Sequence, residues 1–499
     1  MQFNSTDFMF FYPAVLAVYF LIPKRFRIVW LLISSYFFYM RWNALYILLI
    51  AASTLITYLS ALLIERMNEG TGKNLTKRKT VMLLCITFNL LILALFKYGN
   101  FVIEIINDLL GTAGISQIGY RFGFLLPVGI SFYTFQALGY TIDVYRGDIR
   151  AEKNIVKYAL FVSFFPQLVA GPIERSKNLM GQIDRIDEFR VWNARRIASG
   201  AILMIWGLFL KMVLADRISI LVDRVYGDYR LYGGTELLIA SIAFAIQIYC
   251  DFSSYSVIAA GSARVLGIEL MENFNTPYFA ESIKEFWSRW HISLSTWFKD
   301  YLYIPLGGSR KGRLRKLFNL MAVFLVSGIW HGANLTFIVW GLIHGIYRVL
   351  EELSGSLRSR IVSVFRIKTD CMSYHFIKVL FTFSLTVFAW IFFRAESVSS
   401  ALFIVKRIFT AWNPWILFNG GIYELGLDRV EMNIAVCAGL VLLLVSLIRR
   451  FREQKPDEFL FEQNIWFEWT VVIALITSIF IFGEYGPAFD AKQFIYFRF

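Results

Sequence analysis

The chain has 499 residues, 57% of them hydrophobic and 18% aromatic, with a mean hydropathy of +0.57, a composition that excludes an ordinary soluble domain and places the chain in a bilayer. Its formal charge of +14 does not imply nucleic acid, because in a multi-pass protein Lys and Arg collect in cytoplasmic loops for topological and lipid-binding reasons. Cys85, Cys250, Cys371 and Cys437 are scattered without a CxxC pair, so neither a disulfide framework nor a metal site is expected.

The N-terminal "MQFNSTDFMFFYPAVLAVYFLIPKRFR" has neither a basic n-region nor a small-residue cleavage site before its apolar run, and is expected to be kept as a first helix. The charges that follow are Lys24, Arg25 and Arg27, which by the positive-inside rule put the N-terminus outside and this short loop in the cytoplasm. The loop from Arg66 to Lys79 is cytoplasmic on the same count. Apolar stretches long enough to cross about 30 Å of hydrocarbon recur at 46–64, 81–96, 197–214, 235–260, 376–393, 432–448 and 466–484. About eleven crossings are expected in all. Alternating strand patterns are absent, so the expected fold is all-α, a polytopic membrane protein with additional re-entrant or interfacial helices.

In "LPVGISFYTFQALGYTIDVYRGD", Ser131, Gln136, Tyr140 and Asp143 fall at spacings that set polar groups along related helix faces. "FFPQLVAGPIER" carries two prolines and a glycine in an apolar span, which predicts a broken or re-entrant element. Loops between Asp143 and Tyr232 mix both signs and leave their sidedness open. Asp251 stands inside "QIYCDFSSYSVIAAGSA", with Ser253, Ser254, Tyr255 and Ser256 near enough to satisfy a carboxylate within protein, and reads as a structural hub. Asn273 and Asn275 read as turn or cap residues before Pro277.

From Lys284 to Lys316 the apolar rhythm fails: eight Lys or Arg stand against two acids, and seven aromatics lie between Phe286 and Tyr303. Such a segment does not span; it suits helices lying in or dipping through the headgroup zone. "PLGGSRKGR" then forms a basic loop, placed by its charge on the cytoplasmic side. Along a continuous helix from Lys316, His331 lies about 22 Å on, at mid-membrane depth. Gly328, Gly332 and Asn334 invite a break there, and basic residues at both outer ends, Arg348, Arg358 and Arg360 at the second, predict two segments meeting near His331 rather than one crossing.

An ionisable group inside the membrane costs at least a few kcal/mol at the bilayer centre and marks a functional candidate. The plainer reading of a lone histidine is a hydrogen bond to a neighbouring helix. His331 is favoured for catalysis because glycines on either side let backbone or substrate approach the ring. His344 reads as structural and His375 as an ordinary loop residue. His291, beside Arg289 and Trp290, is open between a second buried polar group and an interfacial residue. Asp300 reads as an ion-pair partner of Lys299 or Arg310, with orientation of a histidine as the functional alternative.

"ENFNTPYFAESIKEFWSRWHISLSTWFKDYLYIPLGGSR" followed by "SGIWHGANLTFIVWGLIHG" resembles the membrane-bound O-acyltransferase family, and most of all its polysaccharide O-acetyltransferase branch, which includes the membrane component of bacterial alginate O-acetylation. "FPQLVAGPIER", "YCDFSSYS" and "FAWIFFRAES" extend the resemblance over roughly residues 1–411. It implies N-terminal transmembrane helices over 1–120, an acyltransferase core over 121–350 with the basic and aromatic segment 284–316 inside it, and C-terminal transmembrane helices over 351–499. It implies that His331 is the intramembrane catalytic histidine and His291 the second characteristic one. The implied donor is a cytosolic thioester, acetyl-coenzyme A or an acyl carrier, with no permanently bound cofactor. The implied acceptor is a hydroxyl of an exported polysaccharide, reached through an extracytoplasmic acetyltransferase partner, in a bacterial cytoplasmic membrane. Arg289, Arg310, Lys311 and Arg313 are the basic residues best placed for the donor phosphates, with Asp251, Asn334, Asp300 and Trp290 in support. Val257 departs from the small acidic continuation expected after "DFSSYS", leaving Asp251 as the one carboxylate in that motif.

Two other activities fit parts of the pattern. D-alanyl transfer to teichoic acid from a carrier protein would use the same imidazole. A transporter or flippase would also break its helices around midplane polar groups, though no inverted repeat is visible and few intramembrane carboxylates are available for ion coupling.

Overall fold

The computed structural model describes residues 1–69, 74–123, 126–189, 192–485 and 494–495; part of the basic loop 66–79 therefore lies outside the described residues. Among them all regular structure is helical and no strand occurs. The chain forms two compact units, residues 1–201 with 259–271, and residues 202–258 with 272–499.

The first unit opens with α1 (Thr6–Leu21), α2 (Arg27–Met40), α3 (Ile47–Glu69) and the long α4 (Leu75–Thr112), followed by α5 (Ile130–Arg146). α3 packs against α4 and α5. The polar residues of α5 are buried and used inside this unit: Gln136 Nε2 donates to the Phe161 carbonyl at 2.5 Å, the Tyr140 hydroxyl accepts from the Glu152 N–H at 2.8 Å, and Asp143 accepts from Ser176 Oγ at 2.5 Å. Next come α6 (Ile155–Ser163), the single turn α7 (Phe165–Leu168) and α8 (Ser176–Asp184). The break between α6 and α7 is the one expected at Pro166, which cannot continue a helix but fits its first turn. Just beyond, Glu174 accepts from the Met271 N–H and from Asn178 Nδ2. Burial outweighs those bonds and pushes its carboxyl up to about 7.

α9 (Ala194–Phe209) carries the chain into the second unit, where a wider π turn (Leu210–Ala215) leads to α10 (Asp216–Gly227) and α11 (Gly234–Leu266). Two short helices follow, α12 (Ile283–Arg289) and α13 (Ile292–Phe298), then a second π turn over Lys299–Tyr303. The hairpin α14 (Arg313–His331) and α15 (Leu335–Leu353) comes next, then α16 (Gly355–Val364), α17 (Met372–Arg394) and α18 (Val398–Thr410). α19 (Arg429–Arg452), α20 (Pro456–Phe461) and α21 (Ile465–Phe482) complete the described helices.

Seven helical stretches among the described residues are long and apolar enough to cross a bilayer: Ala44–Asn68, Leu75–Thr112, Ala194–Gly227, Gly234–Leu266, Met372–Arg394, Arg429–Arg452 and Ile465–Phe482. The seven apolar runs named from the sequence fall on these. α1, with 16 residues, is apolar but shorter. α21 has a mean hydropathy of 2.1 and buries none of its side chains, as expected of a helix whose surroundings are lipid.

Candidate active site

α14 and α15 pack more tightly on each other than ordinary side chains would permit. A Cβ on Gly328 would stand 2.4 Å from the Phe337 carbonyl oxygen, and one on Gly341 would stand 2.4 Å from that of Phe324. α14 ends at His331 because Gly332 turns extended, with the Phe337 ring in the space a side chain would need. Asn334 then caps α15, its Oδ1 accepting from the Thr336 N–H at 2.9 Å, while its Nδ2 donates to the Glu396 carbonyl at 2.9 Å. The outer ends return to one side, where Lys316 is ion-paired with Glu352. Two antiparallel segments thus meet beside His331, as the glycines and the flanking charges led one to expect. The Lys316 ammonium holds the Glu352 carboxyl below the usual carboxylate range.

His331 is only 4% exposed. Edge-on contacts surround its ring: Trp330 at 5.0 Å, Trp340 at 4.9 Å and Phe393 at 5.4 Å between centroids. Trp330 also lies 6.1 Å from His291, so the two histidines flank one indole.

His291 joins α12 to α13 in a left-handed conformation, φ 44° and ψ 54°, which costs a non-glycine residue about 1–2 kcal/mol. The cost is met by pairing of the flanking backbone, with Ile292 N–H donating to the Asn273 carbonyl and Asn275 N–H to that of Arg289, each at 2.9 Å. Asn273 also sets the imidazole. Its Oδ1 accepts from Ser293 Oγ at 2.6 Å and faces His291 Nδ1 at 3.3 Å, while its Nδ2 donates to Ser256 Oγ at 3.0 Å. With an oxygen acceptor opposite, Nδ1 carries the proton and Nε2 the lone pair. Burial pushes the imidazole down, to about 3, so this ring is neutral at physiological pH.

His344, one turn beyond Trp340 on α15, is fully buried. Its Nδ1 accepts from the Trp287 indole N–H at 3.3 Å, which places its own proton on Nε2. His375, read from the sequence as a loop residue, instead sits in the first turn of α17 and pairs with Glu281 at 3.0 Å.

A cleft of about 540 Å³ opens beside the hairpin. Lys284, Lys299, Lys316 and Arg348 line its outer part, and Trp287, Phe324 and Ser327 its inner part. Along α14 its lining residues Lys316, Leu320, Val323 and Ser327 recur at helical spacing on one face, about 16 Å from first to last, and the next position of that stripe is His331. The cleft carries the exposed Lys284 and Lys299, with the Lys316–Glu352 ion pair and the buried Arg348 further along its lining, and ends one turn short of the imidazole.

The remaining candidates fall in three places. Trp290 is buried in the same aromatic cluster, 5.0 Å from Trp390 and 5.1 Å from Phe274. Arg289 is taken up by Glu285 at 2.9 Å and by the Asn275 carbonyl at 3.2 Å, while Arg310, Lys311 and Arg313 lie exposed beside Ser309 at the outer lip of the cleft, and Asp300 is half-buried in the second π turn. Asp251 forms a separate buried ionic group. Lys211, from the first π turn, bridges it to Asp216 at 2.6 Å each, and the Ile495 N–H donates to its second oxygen at 2.8 Å. The expectation that neighbouring hydroxyls satisfy Asp251 is corrected: Ser254 Oγ turns to the Asp251 backbone carbonyl, and the carboxylate is met by Lys211, which also holds Asp216 from another helix. In the sequence Asn273 reads only as a turn or cap residue, and neither Trp287 nor the four cleft cations are assigned to the site. Of these cations only Lys316 had a legible signal, its place on the stripe 316, 320, 323, 327, 331.

The model of the MBOAT, membrane-bound O-acyltransferase family, matches residues 149–395, the segment that contains His291, His331 and His344. A probable alginate O-acetylase, AlgI, of Pseudomonas putida is 35% identical over 515 aligned residues covering 100% of both chains. A peptidoglycan O-acetyltransferase of Helicobacter pylori is 34% identical, covering 81% of this chain and 79% of its own. A teichoic acid D-alanyltransferase of Bacillus subtilis is 28% identical over 44% of this chain and 57% of its own. Likeness across the whole length, together with a family match over the segment that builds the hairpin, the cleft and the three histidines, establishes that this chain belongs to the membrane-bound O-acyltransferase family and is an O-acyltransferase.

Proposed function

We propose that the chain moves an acetyl group from a cytosolic thioester, acetyl-coenzyme A or an acyl carrier, to a hydroxyl of an exported polysaccharide or of an extracytoplasmic partner enzyme. One observation carries this reading: the α14 face that lines a cationic cleft leads, one turn past its inner end, to His331. Lys284 and Lys299, exposed on the cleft, attract the donor's phosphates, while Lys316 and Arg348 are ion-paired with Glu352 and Glu351, and Arg310, Lys311 and Arg313 add to the field at the lip. The arm lies along the α14 stripe with its thioester toward His331.

The chemistry balances without a metal or redox group. Neutral His331 takes the proton of the acceptor hydroxyl as its oxygen bonds to the thioester carbon. The carbon–sulfur bond then breaks, and the imidazolium returns the proton to the departing thiolate. The C-terminal end of α14 favours the positive charge that develops on the ring between these steps. Surrounding rings keep water from the thioester. His291, kept neutral by burial and oriented by Asn273, lies 6.1 Å from the same Trp330 indole.

Acetyl is favoured over D-alanyl because the relatives named as acetylating enzymes align over most or all of the chain, whereas the D-alanyltransferase aligns over less than half. The charge pattern supports a bacterial cytoplasmic membrane, with the N-terminus outside and the cleft mouth in the cytoplasm. Cells carrying the intact chain or His331→Ala are compared for esters on surface polymers, identified by mass. Acetyl esters that vanish in the variant are expected; alanyl esters, or acetyl esters equally abundant in both, would contradict the proposal.

A further inference from the structure

Resting on the reading of the cleft as the donor site, we infer that Trp287 sets the size of acyl group that reaches His331, and that His344 is the positioning residue that holds Trp287 in place. The cleft ends at Trp287, Phe324 and Ser327. None of the rings that enclose His331, Trp330, Trp340 and Phe393, lines it. Of the rings at its inner end, Trp287 stands in edge contact with Trp340 at 5.7 Å, and Trp340 touches His331 at 4.9 Å. An acyl group advancing along α14 therefore passes over the small Ser327 with the half-buried Trp287 indole beside it. That indole fixes the width of the last step.

The orientation of the indole depends on few groups. Trp287 packs edge-on against Phe324 at 5.2 Å, Phe286 at 5.6 Å and Trp340 at 5.7 Å, ring contacts less directional than a hydrogen bond. The directional contact is the hydrogen bond to His344 Nδ1 at 3.3 Å. His344 is otherwise an unfavourable choice for a fully buried site among aromatic rings, because its Nε2 meets no hydrogen-bond partner among the described residues. A hydrocarbon side chain would pack there at lower cost. What imidazole supplies and hydrocarbon does not is an acceptor aimed at the indole N–H. The third histidine, which the acyl-transfer chemistry leaves unused, thereby acquires a role in acyl selection.

The test measures kcat/KM for acetyl, isobutyryl and pivaloyl thioesters with the full chain in lipid nanodiscs. In Trp287→Ala the ratio of pivaloyl to acetyl is expected to rise at least about tenfold, the scale on which a pocket discriminates single methylenes. Trp287→Phe, which keeps a ring and loses the N–H, and His344→Leu are expected to raise the ratio by smaller, similar and non-additive amounts. His344→Gln, whose side-chain oxygen can still accept from the indole, is expected to keep the wild-type ratio. A merely structural role lowers all three acyl groups alike, and that result in Trp287→Phe and His344→Leu would overturn the inference. Lys284→Glu and Lys299→Glu, assayed alongside, separate the two ideas. Unchanged donor KM in both would remove the donor-cleft reading itself, whereas raised KM with an unchanged acyl ratio in the Trp287 variants would remove only the selection role.

Discussion

Asn273→Ala removes the side chain that holds His291, and the structure fixes what that does. The change removes the oxygen that faces His291 Nδ1 and the Ser293 N–H, each at 3.3 Å; the hydroxyls of Ser293 and Ser256 can rotate to other acceptors. Two buried donors deprived of this acceptor, at about 1–3 kcal/mol each, bring the expected loss of stability to about 2–6 kcal/mol. The imidazole also loses the bond that selects its tautomer, worth about 1–1.5 kcal/mol, or about a tenfold drop in the correctly oriented population. Transfer from labelled acetyl thioester in nanodiscs should then show kcat reduced about tenfold to a hundredfold. Donor KM should stay within about twofold, because Asn273 does not line the cleft. Asn273→Asp keeps an oxygen facing both donors and should recover most of the rate. The reasoning is refuted if folded Asn273→Ala turns over at the wild-type rate, or if the Asp variant is no better than Ala.

A Cβ on Gly328 would meet backbone, the Phe337 carbonyl oxygen at 2.4 Å, so Gly328→Ala must open the hairpin three residues before His331. A displacement of about 1 Å at a reacting group costs about a hundredfold, and a loss of that order in transfer rate is expected, while Gly355→Ala, which meets nothing within 4 Å, should match wild type. The Glu174 carboxyl is raised from 4.5 to about 7, so the folded state binds its proton more tightly than the unfolded state does. Its contribution is fully present below about 4.5 and is lost as pH rises through about 7, a difference of about 3 kcal/mol. Melting temperature measured from pH 5 to pH 8 should fall more steeply in wild type than in Glu174→Gln; parallel curves would show that burial does not govern this carboxyl.

Much of this was legible in the chain because lipid permits few solutions. Long apolar runs had to be helices, and the seven named runs are helices. Gly328, Gly332 and Asn334 announced the break at His331, since each marks close approach or a cap. Pro166 announced the end of α6 in the same way. Contacts brought together from distant positions were not legible. Asn273 reads locally as a cap, and its bond to His291 exists only because the 273–275 strand of backbone pairs with 289–292. Asp251 is surrounded by hydroxyls in sequence, yet its carboxylate meets Lys211, forty positions away, because a π turn aims that side chain inward. His344 resembled any buried histidine until the Trp287 indole was found against its Nδ1. The basic segment 284–316 was recognised by charge, but charge alone favoured the loop residues Arg310, Lys311 and Arg313, whereas folding puts Lys284, Lys299, Lys316 and Arg348 on the cleft.

The central claim is that His331 moves the proton in acyl transfer. Its direct test is the single-turnover rate of acetyl transfer from thioester to a hydroxyl acceptor by His331→Ala in nanodiscs, with folding verified by the melting transition. A fall of about 10²–10⁴-fold is expected, the range a general base supplies; a rate within a few-fold of wild type from the folded variant would contradict the account.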